Sequence, residues 1–230
     1  MIFAIIPARG GSQRIKKKNI KIFYSKPILY WTIKALKQSK LFSKIVLTTD
    51  DNQIKKIGEQ LGVDYVISRP ANLADNYTST KVVIEHAIKV LKAKFKIKYV
   101  CCAYPCNPFL NFLDLKKSFA ILKKNKRKFV FPVTEYPHPI QRAFKLATKN
   151  KLIFFKKKHY LTRTQDLVKS YHDAGQFYLG TVTNWLSKKK LHLNCIGLPI
   201  PKWRVVDIDN LQDWKRAELL FKVLKVNDKN

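Results

Sequence analysis

Short, continuous apolar runs alternate with amphipathic stretches along most of this chain. The apolar runs have the length of buried strands and lie at residues 2–6, 44–47, 64–67, 98–103 and 129–133. Helical periodicity marks the segments between them, at residues 27–39, 52–61, 80–91 and 113–124. Strands that alternate with helices in this way predict an α/β fold with a doubly wound sheet.

The alternation stops between residues 135 and 172, where Pro137, Pro139 and many polar and aromatic residues occur. It returns with a predicted strand at 175–179 and a predicted C-terminal helix at 211–223. We therefore predict one domain over residues 1–230 that carries an inserted lobe at 135–172, rather than two domains.

Composition agrees with a globular protein of the cytoplasm. Apolar residues make up 46% of the 230 residues, which excludes wholesale disorder. The chain has no long uncharged apolar segment, and its N-terminus lacks the layout of a signal peptide. Its four cysteines lack the spacing of zinc ligands, so we expect small buried side chains in a reducing compartment.

The formal charge of +31 raises the alternative of a basic nucleic-acid-binding protein. The lysines, however, are spread over the whole chain, and we identify no basic aromatic platform or zinc module. We interpret the charge as a background that attracts anionic small molecules.

A cationic, glycine-containing loop follows the first predicted strand directly and reads PARGGSQRIKKKN from residue 7 to residue 19. Gly10 and Gly11 allow a sharp turn that presents backbone N–H groups to an anion, and Arg9 and Lys18 add positive charge. The loop is neither a Walker motif nor G-x-G-x-x-G. We predict that it binds a triphosphate; the alternative is an ordinary turn with solvated lysines.

A second candidate is the pair Asp207 and Asp209, which stand two positions apart shortly before the last predicted helix. In a strand their carboxylates would point to the same side, and Mg²⁺ prefers such hard oxygen ligands. The alternative is a solvent-facing acidic pair beside the N-cap of the helix that begins near Asn210.

Three further loops carry polar side chains for which two interpretations stay open. Asp50 supports the active site or caps the helix that follows it, and Arg69 contacts a ligand or pairs with Asp75 at the surface. The hydroxyls of residues 78–80 bind ribose or base, or Thr78 or Thr80 caps the next helix.

Residues 6–19 resemble the signature of cytidylyltransferases that activate nine-carbon acidic sugars, the CMP-sialic acid synthetase family. Residues 206–209 resemble the family's I-D-I-D segment, residues 69–75 its R-P-x-x-L-A-x-D segment, and residues 49–50 part of its S-T-D segment. These matches stand in the family's order, within a resemblance that extends from about residue 2 to residue 218. The resemblance implies a Rossmann-like three-layer α/β/α nucleotidyltransferase fold with a mostly parallel sheet and an inserted dimerisation lobe that helps form the partner's sugar site.

The resemblance also implies a reaction in which CTP and an acidic nine-carbon sugar give a CMP-sugar and pyrophosphate. Asp207 and Asp209 would bind Mg²⁺, and catalysis would depend on Arg9, Lys18 and Asp209. The implied nucleotide-binding residues are Ala8, Arg9, Gly10, Gly11, Ser12, Lys18, Asn19, Arg69, Thr78 and Ser79. Gln13 departs from the pattern because relatives usually have lysine there; Arg14, Lys16 or Lys17 would have to supply that charge.

Tyr104 replaces the glutamine with which relatives that use sialic acid recognise their substrate. With the segments at 134–143, 162–167 and 172–178, it resembles the pseudaminic acid branch of the family. The candidate sugar-binding residues are Tyr104, Gln141, Arg142, Arg163, His172 and Gln176, with the two arginines for the sugar carboxylate.

Alternatives remain for the substrate and for these residues. Another nonulosonic acid, sialic or legionaminic, is the alternative substrate, and a place in the dimer interface is the alternative role for each candidate. Transferases that use sugar 1-phosphates carry a G-x-G-T-R loop that is absent here. For His86 and His192 we predict structural roles without partners.

Overall fold

A computed structural model describes residues 1–188 and 190–227 of the chain, without the side chains of residues 225–227. Its centre is a sheet of eight strands in the order β10-β7-β11-β6-β1-β4-β5, with β12 also paired to β7. The strands of this sheet are β1 (Ile2–Pro7), β4 (Lys44–Thr49), β5 (Tyr65–Ser68), β6 (Tyr99–Ala103), β7 (Phe129–Glu135), β10 (Tyr171–Asp173), β11 (Phe177–Thr181) and β12 (Cys195–Pro199). Two small hairpins complete the strands: β2 (Ile22–Phe23) with β3 (Lys26–Pro27), and β8 (Phe144–Leu146) with β9 (Leu152–Phe154).

In the central sheet most strand pairs are parallel, as predicted. The parallel pairs are β1 with β4, β1 with β6, β4 with β5 and β7 with β12. The strand β11 is antiparallel to β6 and β7, and β10 is antiparallel to β7. The antiparallel strands lie where the chain returns from the segment that breaks the βα alternation.

Helices cover both faces of the sheet. The described helices are α1 (Ile28–Ser39), α2 (Asn52–Gln60), α3 (Thr80–Lys92), α4 (Phe112–Lys124), α5 (Val182–Leu186) and α6 (Leu211–Asn227). In β1, Ala4 and Ile6 pack towards α1 and α4, whereas Phe3 and Ile5 pack towards α3 and α5. A strand covered on both faces needs apolar residues at every position, which explains the continuous apolar run at the N-terminus. The predicted three-layer α/β/α arrangement is confirmed.

A third apolar cluster lies beside these two and joins the two ends of the chain. Ile15 from the glycine loop and Ile208 from the segment before α6 are both buried in it. Phe23 packs edge-on against Trp214 and Phe221 of α6, with ring centroids 5.5 and 5.3 Å apart. This cluster holds the N-terminal loop against the C-terminal helix.

Some predicted boundaries were wrong for local reasons. The strand predicted at 175–179 begins at Phe177, because Gly175 adopts a φ of 61° and donates its N–H to the Asp173 carboxylate. Neither Thr78 nor Thr80 caps α3; Ser79 holds the N-cap position without a side-chain hydrogen bond.

Residues 135–172 form the predicted break in the βα alternation. They contain the β8–β9 hairpin and short 3-10 turns, and β10 then rejoins the edge of the main sheet beside β7. Among the helices that the structure describes, none is both long and apolar enough to cross a membrane.

Candidate active site

The loops that leave the carboxyl ends of the parallel strands enclose a cavity of about 510 Å³. Ligands of open α/β sheets bind at this end of the strands. The N-terminal loop contributes Arg9, Ser12, Lys18 and Asn19 to its wall. Later segments contribute Arg69, Thr78, Thr80, Tyr104 and Asp209. We call this space the first cavity.

The glycine loop and Asp209 meet at this cavity although nearly the whole chain separates them. The Lys18 ammonium donates to the backbone oxygen of Ile208 at 2.7 Å and lies 3.6 Å from the Asp209 carboxylate. The Arg14 guanidinium donates to both Asp209 oxygens, each at 2.9 Å. The cations of the first motif therefore surround the carboxylate of the second.

The glycines of the loop act differently from the prediction. Neither Gly10 nor Gly11 has a positive φ; the left-handed residue is Lys17, at 52°. The Gly10 N–H donates to the Asp50 carboxylate at 3.0 Å, so it is not free to bind another anion. Gly10 is needed because a Cβ there would lie 2.8 Å from the Cβ of Asp51.

The two glycines allow a matched test of this packing. We expect Gly10→Ala to lower the free energy of unfolding by about 1–3 kcal/mol, because the new methyl group must displace Asp51 or the loop. Gly11→Ala should change it by less than about 0.5 kcal/mol, since a Cβ there has no neighbour within 4 Å. Urea unfolding followed by circular dichroism measures both variants; equal losses would contradict the packing role of Gly10.

The structure separates the roles of Asp50 and Asp51. The Asp51 carboxylate caps α2 by accepting from the N–H groups of Gln53 and Ile54 at 2.7 and 2.9 Å. The capping interpretation of Asp50 is therefore wrong. The Asp50 carboxylate instead holds the glycine loop through Gly10.

Arg69 is a buried cation in the wall of the first cavity. Its side chain donates to the backbone oxygen of Thr48 at 2.9 Å, and its Nε has no hydrogen-bond partner among the described residues. Burial lowers the pKa of the guanidinium, and the nearby Asp50 carboxylate opposes that shift. A buried donor without a partner at a cavity wall indicates that a polar ligand completes the site.

The predicted alternative for Arg69, an ion pair with Asp75, does not form. The Asp75 carboxylate accepts from the backbone N–H groups of Tyr77 and Thr78, at 2.9 and 2.6 Å. Arg9 in turn donates to the backbone oxygen of Asp75 at 2.6 Å. Both arginines are thus held at the cavity by backbone carbonyl groups.

Asp209 also lines a second cavity, of about 650 Å³, and Asp207 joins it there. Residues 205–209 form no strand, so the strand geometry considered for the pair does not apply. Both carboxylates nevertheless face the same space because Ile208 between them is buried. Asn210 caps α6 through Gln212 and Asp213, which leaves the Asp209 carboxylate free of capping.

The aspartate pair fits a magnesium ion. Burial raises the pKa of Asp207, and the charge of Asp209 raises it further. Two neighbouring carboxylates that repel each other are stabilised by a shared cation, and Mg²⁺ commonly takes one or two carboxylates together with phosphates and water. The described residues contain no group of three or more metal-binding side chains that would hold a metal alone. A bound substrate would have to supply the remaining ligands.

The predicted sugar-binding residues divide into three groups. Tyr104 lines the first cavity with its hydroxyl 3.1 Å from that of Thr80, and His172 lines the second cavity. Gln176 is 1% exposed and donates to the backbone oxygen of Arg204, so it supports the fold beside the site. The third group, Gln141, Arg142 and Arg163, contacts residues of the lobe itself. This group lines neither the first nor the second cavity of its own chain.

His192 has a partner that the sequence analysis missed. Its Nε2 lies 2.8 Å from the Asp173 carboxylate, which also accepts from the Tyr178 hydroxyl at 2.7 Å. Asp173 lines the second cavity, as do two further cations that we did not predict, Lys202 and Arg216. In the sequence, these residues were marked only by lying near the predicted motifs.

Comparison with known proteins identifies the family of this chain. A family model described as Cytidylyltransferase matches residues 3–202. The chain is 42% identical to a pseudaminic acid cytidylyltransferase of Campylobacter jejuni over 95% of each sequence. It is 29% identical to an N-acylneuraminate cytidylyltransferase of Escherichia coli, over 94% of this chain and 51% of that one.

Solved structures share the fold at low identity. A CMP:2-keto-3-deoxy-manno-octonic acid synthetase complexed with CTP superposes with a TM-score of 0.68 at 12% identity, over 96% of this chain and 98% of that one. A 4-diphosphocytidyl-2C-methyl-D-erythritol synthase of Anaerococcus prevotii superposes with a TM-score of 0.64 at 16% identity, over 96% of each chain. The nucleotidyltransferase fold and the match to the family model over residues 3–202 together show that this chain belongs to the cytidylyltransferase family.

Proposed function

We propose that this enzyme transfers CMP from CTP to the anomeric hydroxyl of pseudaminic acid, giving CMP-pseudaminic acid and pyrophosphate. The observation that carries the proposal is the meeting of the glycine loop and Asp209 at one cavity. The identity of 42% with a pseudaminic acid cytidylyltransferase over almost the whole chain supports the choice of sugar. Because the reaction consumes CTP, we place the enzyme in the cytoplasm.

We assign the first cavity to CTP. Arg9, Ser12, Lys18 and Asn19 would surround the triphosphate, while Arg69 and Thr78 would contact the nucleoside. The orphaned Nε of Arg69 supports this assignment, because a base or ribose oxygen would satisfy it. Ala8, Gly10, Gly11 and Ser79 are absent from the residues that line the cavity, and we assign them the shaping of its loops.

We assign the second cavity to the sugar, because it shares Arg14 and Asp209 with the first as a common wall. The α-phosphate would lie at that wall, where the sugar hydroxyl can approach in line with the leaving pyrophosphate. The new bond joins the anomeric oxygen to the α-phosphorus, the bond from that phosphorus to the leaving oxygen breaks, and the hydroxyl proton passes to solvent.

The protein's part in this step is to align the reactants and to neutralise charge. Arg9 and Lys18 are fixed by backbone carbonyl groups, so their charges need no reorganisation as the transition state forms. Asp207 and Asp209 would hold Mg²⁺, which when bound neutralises phosphate charge. His172 lines the second cavity and would contact the sugar, whereas Tyr104, which we predicted to bind the sugar, lines the first cavity and would lie beside CTP.

We propose that the lobe at 135–172 forms a homodimer interface. It exposes a set of large apolar side chains that a monomer would leave in water: Leu146, Leu152, Phe155, Leu161 and Val168. The lobe also carries Gln141, Arg142 and Arg163, which line neither cavity of their own chain. In a dimer these three side chains would bind the sugar of the partner subunit.

The dimer proposal has a matched test. The test compares two leucines of equal exposure. Leu152 is 59% exposed on the lobe, and Leu219 is 60% exposed on α6. We expect Leu152→Glu to convert a dimer into a monomer and to raise KM for the sugar, because a charge would be buried in the interface. Leu219→Glu should change neither quantity. Light scattering after gel filtration measures the mass; a wild-type monomer, or a Leu152→Glu dimer, would contradict the interface.

The direct test of the function is a substrate panel. Purified protein is incubated with CTP, Mg²⁺ and pseudaminic, sialic or legionaminic acid, and both pyrophosphate and the CMP product are measured. We expect turnover with pseudaminic acid at a kcat/KM well above that of the other two. Turnover with another acid alone would overturn the substrate and leave the transferase activity, whereas no turnover with any acid would overturn both.

A further inference from the structure

Arg14 makes the most specific contact in the wall between the two cavities. Its NH1 and NH2 groups lie 2.9 Å from Asp209 Oδ2 and Oδ1, respectively, which is the bidentate geometry of a guanidinium on a carboxylate. Both oxygens of the predicted metal ligand therefore already accept from a cation of the protein. Arg14 and a metal ion bound at these oxygens would bring two positive charges to the same carboxylate, so the two cations compete for Asp209.

The surroundings show that Arg14 is free to leave. Its side chain is 67% exposed, and the described structure gives it no hydrogen bond besides the pair with Asp209. Lys18, the other cation at Asp209, is 24% exposed and is anchored on the Ile208 backbone oxygen. Of the two cations, Arg14 is therefore the exchangeable one.

The chemistry of the acceptor provides a second partner for Arg14. In a nonulosonic acid the carboxylate is attached to the anomeric carbon, so it lies two bonds from the oxygen that attacks the α-phosphate. A sugar in the second cavity would bring this carboxylate to the wall that Arg14 lines, beside Asp207, Asp209 and Asp213. Three carboxylates repel a fourth unless a cation lies between them, and a guanidinium pairs with a carboxylate in a fork geometry.

We propose that Arg14 is an exchangeable counter-ion: it neutralises Asp209 in the empty enzyme, a divalent cation takes its place, and its guanidinium then binds the carboxylate of the incoming sugar. The second half of this proposal rests on the proposed function. In this proposal Arg14 supplies the positive charge that Gln13 does not provide. The metal binds before the sugar, because the sugar site becomes complete only after the metal has displaced Arg14.

The first half is tested by titrating the substrate-free protein with Mn²⁺. The EPR signal of the free ion measures how much Mn²⁺ remains unbound. We expect Arg14→Ala to lower the Kd by about fivefold, the equivalent of one surface ion pair. Lys16→Ala removes a charge from the same loop without a contact to Asp209 and should change the Kd by less than about twofold. When Asp209→Asn is already present, Arg14→Ala should change the Kd for Mn²⁺ no more than Lys16→Ala does. A Kd of Arg14→Ala equal to that of Lys16→Ala would overturn the exchange.

The second half is tested by the kinetics of the same variants at saturating Mg²⁺. We expect Arg14→Ala to raise KM for pseudaminic acid by about tenfold or more and KM for CTP by less than about twofold. Arg14→Lys should recover part of the loss. An unchanged KM for the sugar, or equal increases for both substrates, would overturn the transfer of Arg14 to the carboxylate. If the wild type reacts with no nonulosonic acid, the proposed function fails together with this half, and the Mn²⁺ titration still decides the first.

Discussion

Asp209→Asn is expected to lower kcat by on the order of 10³-fold while the protein stays folded. The substitution keeps the size of the side chain and removes the charge around which Arg14 and Lys18 are placed. The backbone N–H of Asp209 bonds to Asp213, a contact that the asparagine retains. The loss should therefore appear in turnover and not in the thermal unfolding midpoint. Steady-state kinetics and circular dichroism on the same preparation measure the two effects.

Asp64 provides the control for this variant. It forms a comparable surface ion pair with Lys44, at 3.0 Å and 33% side-chain exposure, and neither residue lines either cavity. Asp64→Asn should keep kcat within about twofold of the wild type. If Asp209→Asn kept more than about a tenth of the wild-type turnover, the carboxylate would have no catalytic part in the reaction.

Lys18→Met is expected to lower kcat by about 10²-fold, the second largest effect. The Lys18 ammonium is anchored 2.7 Å from a backbone oxygen and aimed at the place where the two motifs meet. Methionine keeps much of the length and packing of the side chain but carries no charge to stabilise the phosphates. Lys16 is exposed in the same loop, so Lys16→Met should stay within about twofold. Equal losses of kcat in the two variants would mean that Lys18 acts only through the overall positive charge and has no specific catalytic role.

Much of the fold could be predicted because each local pattern had one dominant physical cause. The run of residues 2–6 is apolar at every position because α1 and α4 cover one face of β1 while α3 and α5 cover the other. Pro27 directly precedes α1, where its fixed φ suits the start of a helix. The convergence of the glycine loop and the aspartate pair followed from the resemblance, since no local rule brings residue 18 to residue 208.

The details of the site were less predictable because they depend on contacts between distant segments. Asp50 and Asp51 are adjacent and identical, and only the path of the backbone decides which one caps α2 and which one holds Gly10. The pairs of His192 with Asp173 and of Arg14 with Asp209 join segments that no sequence period relates. Among the described residues, the sequence showed which polar and charged side chains were available, and the tertiary structure determines which of them pair.

The lobe marks a different limit. Arg142 and Arg163 were predicted at the sugar carboxylate, yet they bind Thr164 and Asp166 of the lobe and line neither cavity of their own chain. Their residue types suit a carboxylate, but a sequence does not reveal which subunit's substrate they serve. The dimer test decides this question, because in a monomer neither arginine would reach the sugar cavity.

The most direct test is a crystal structure with a non-hydrolysable CTP analogue and Mn²⁺, in which the anomalous signal locates the metal. We predict one nucleotide whose phosphates contact Lys18 and Arg9, with the Mn²⁺ between those phosphates and the carboxylates of Asp207 and Asp209. A nucleotide bound with its phosphates away from Asp209, or a metal peak away from both aspartates, would contradict the proposed active site.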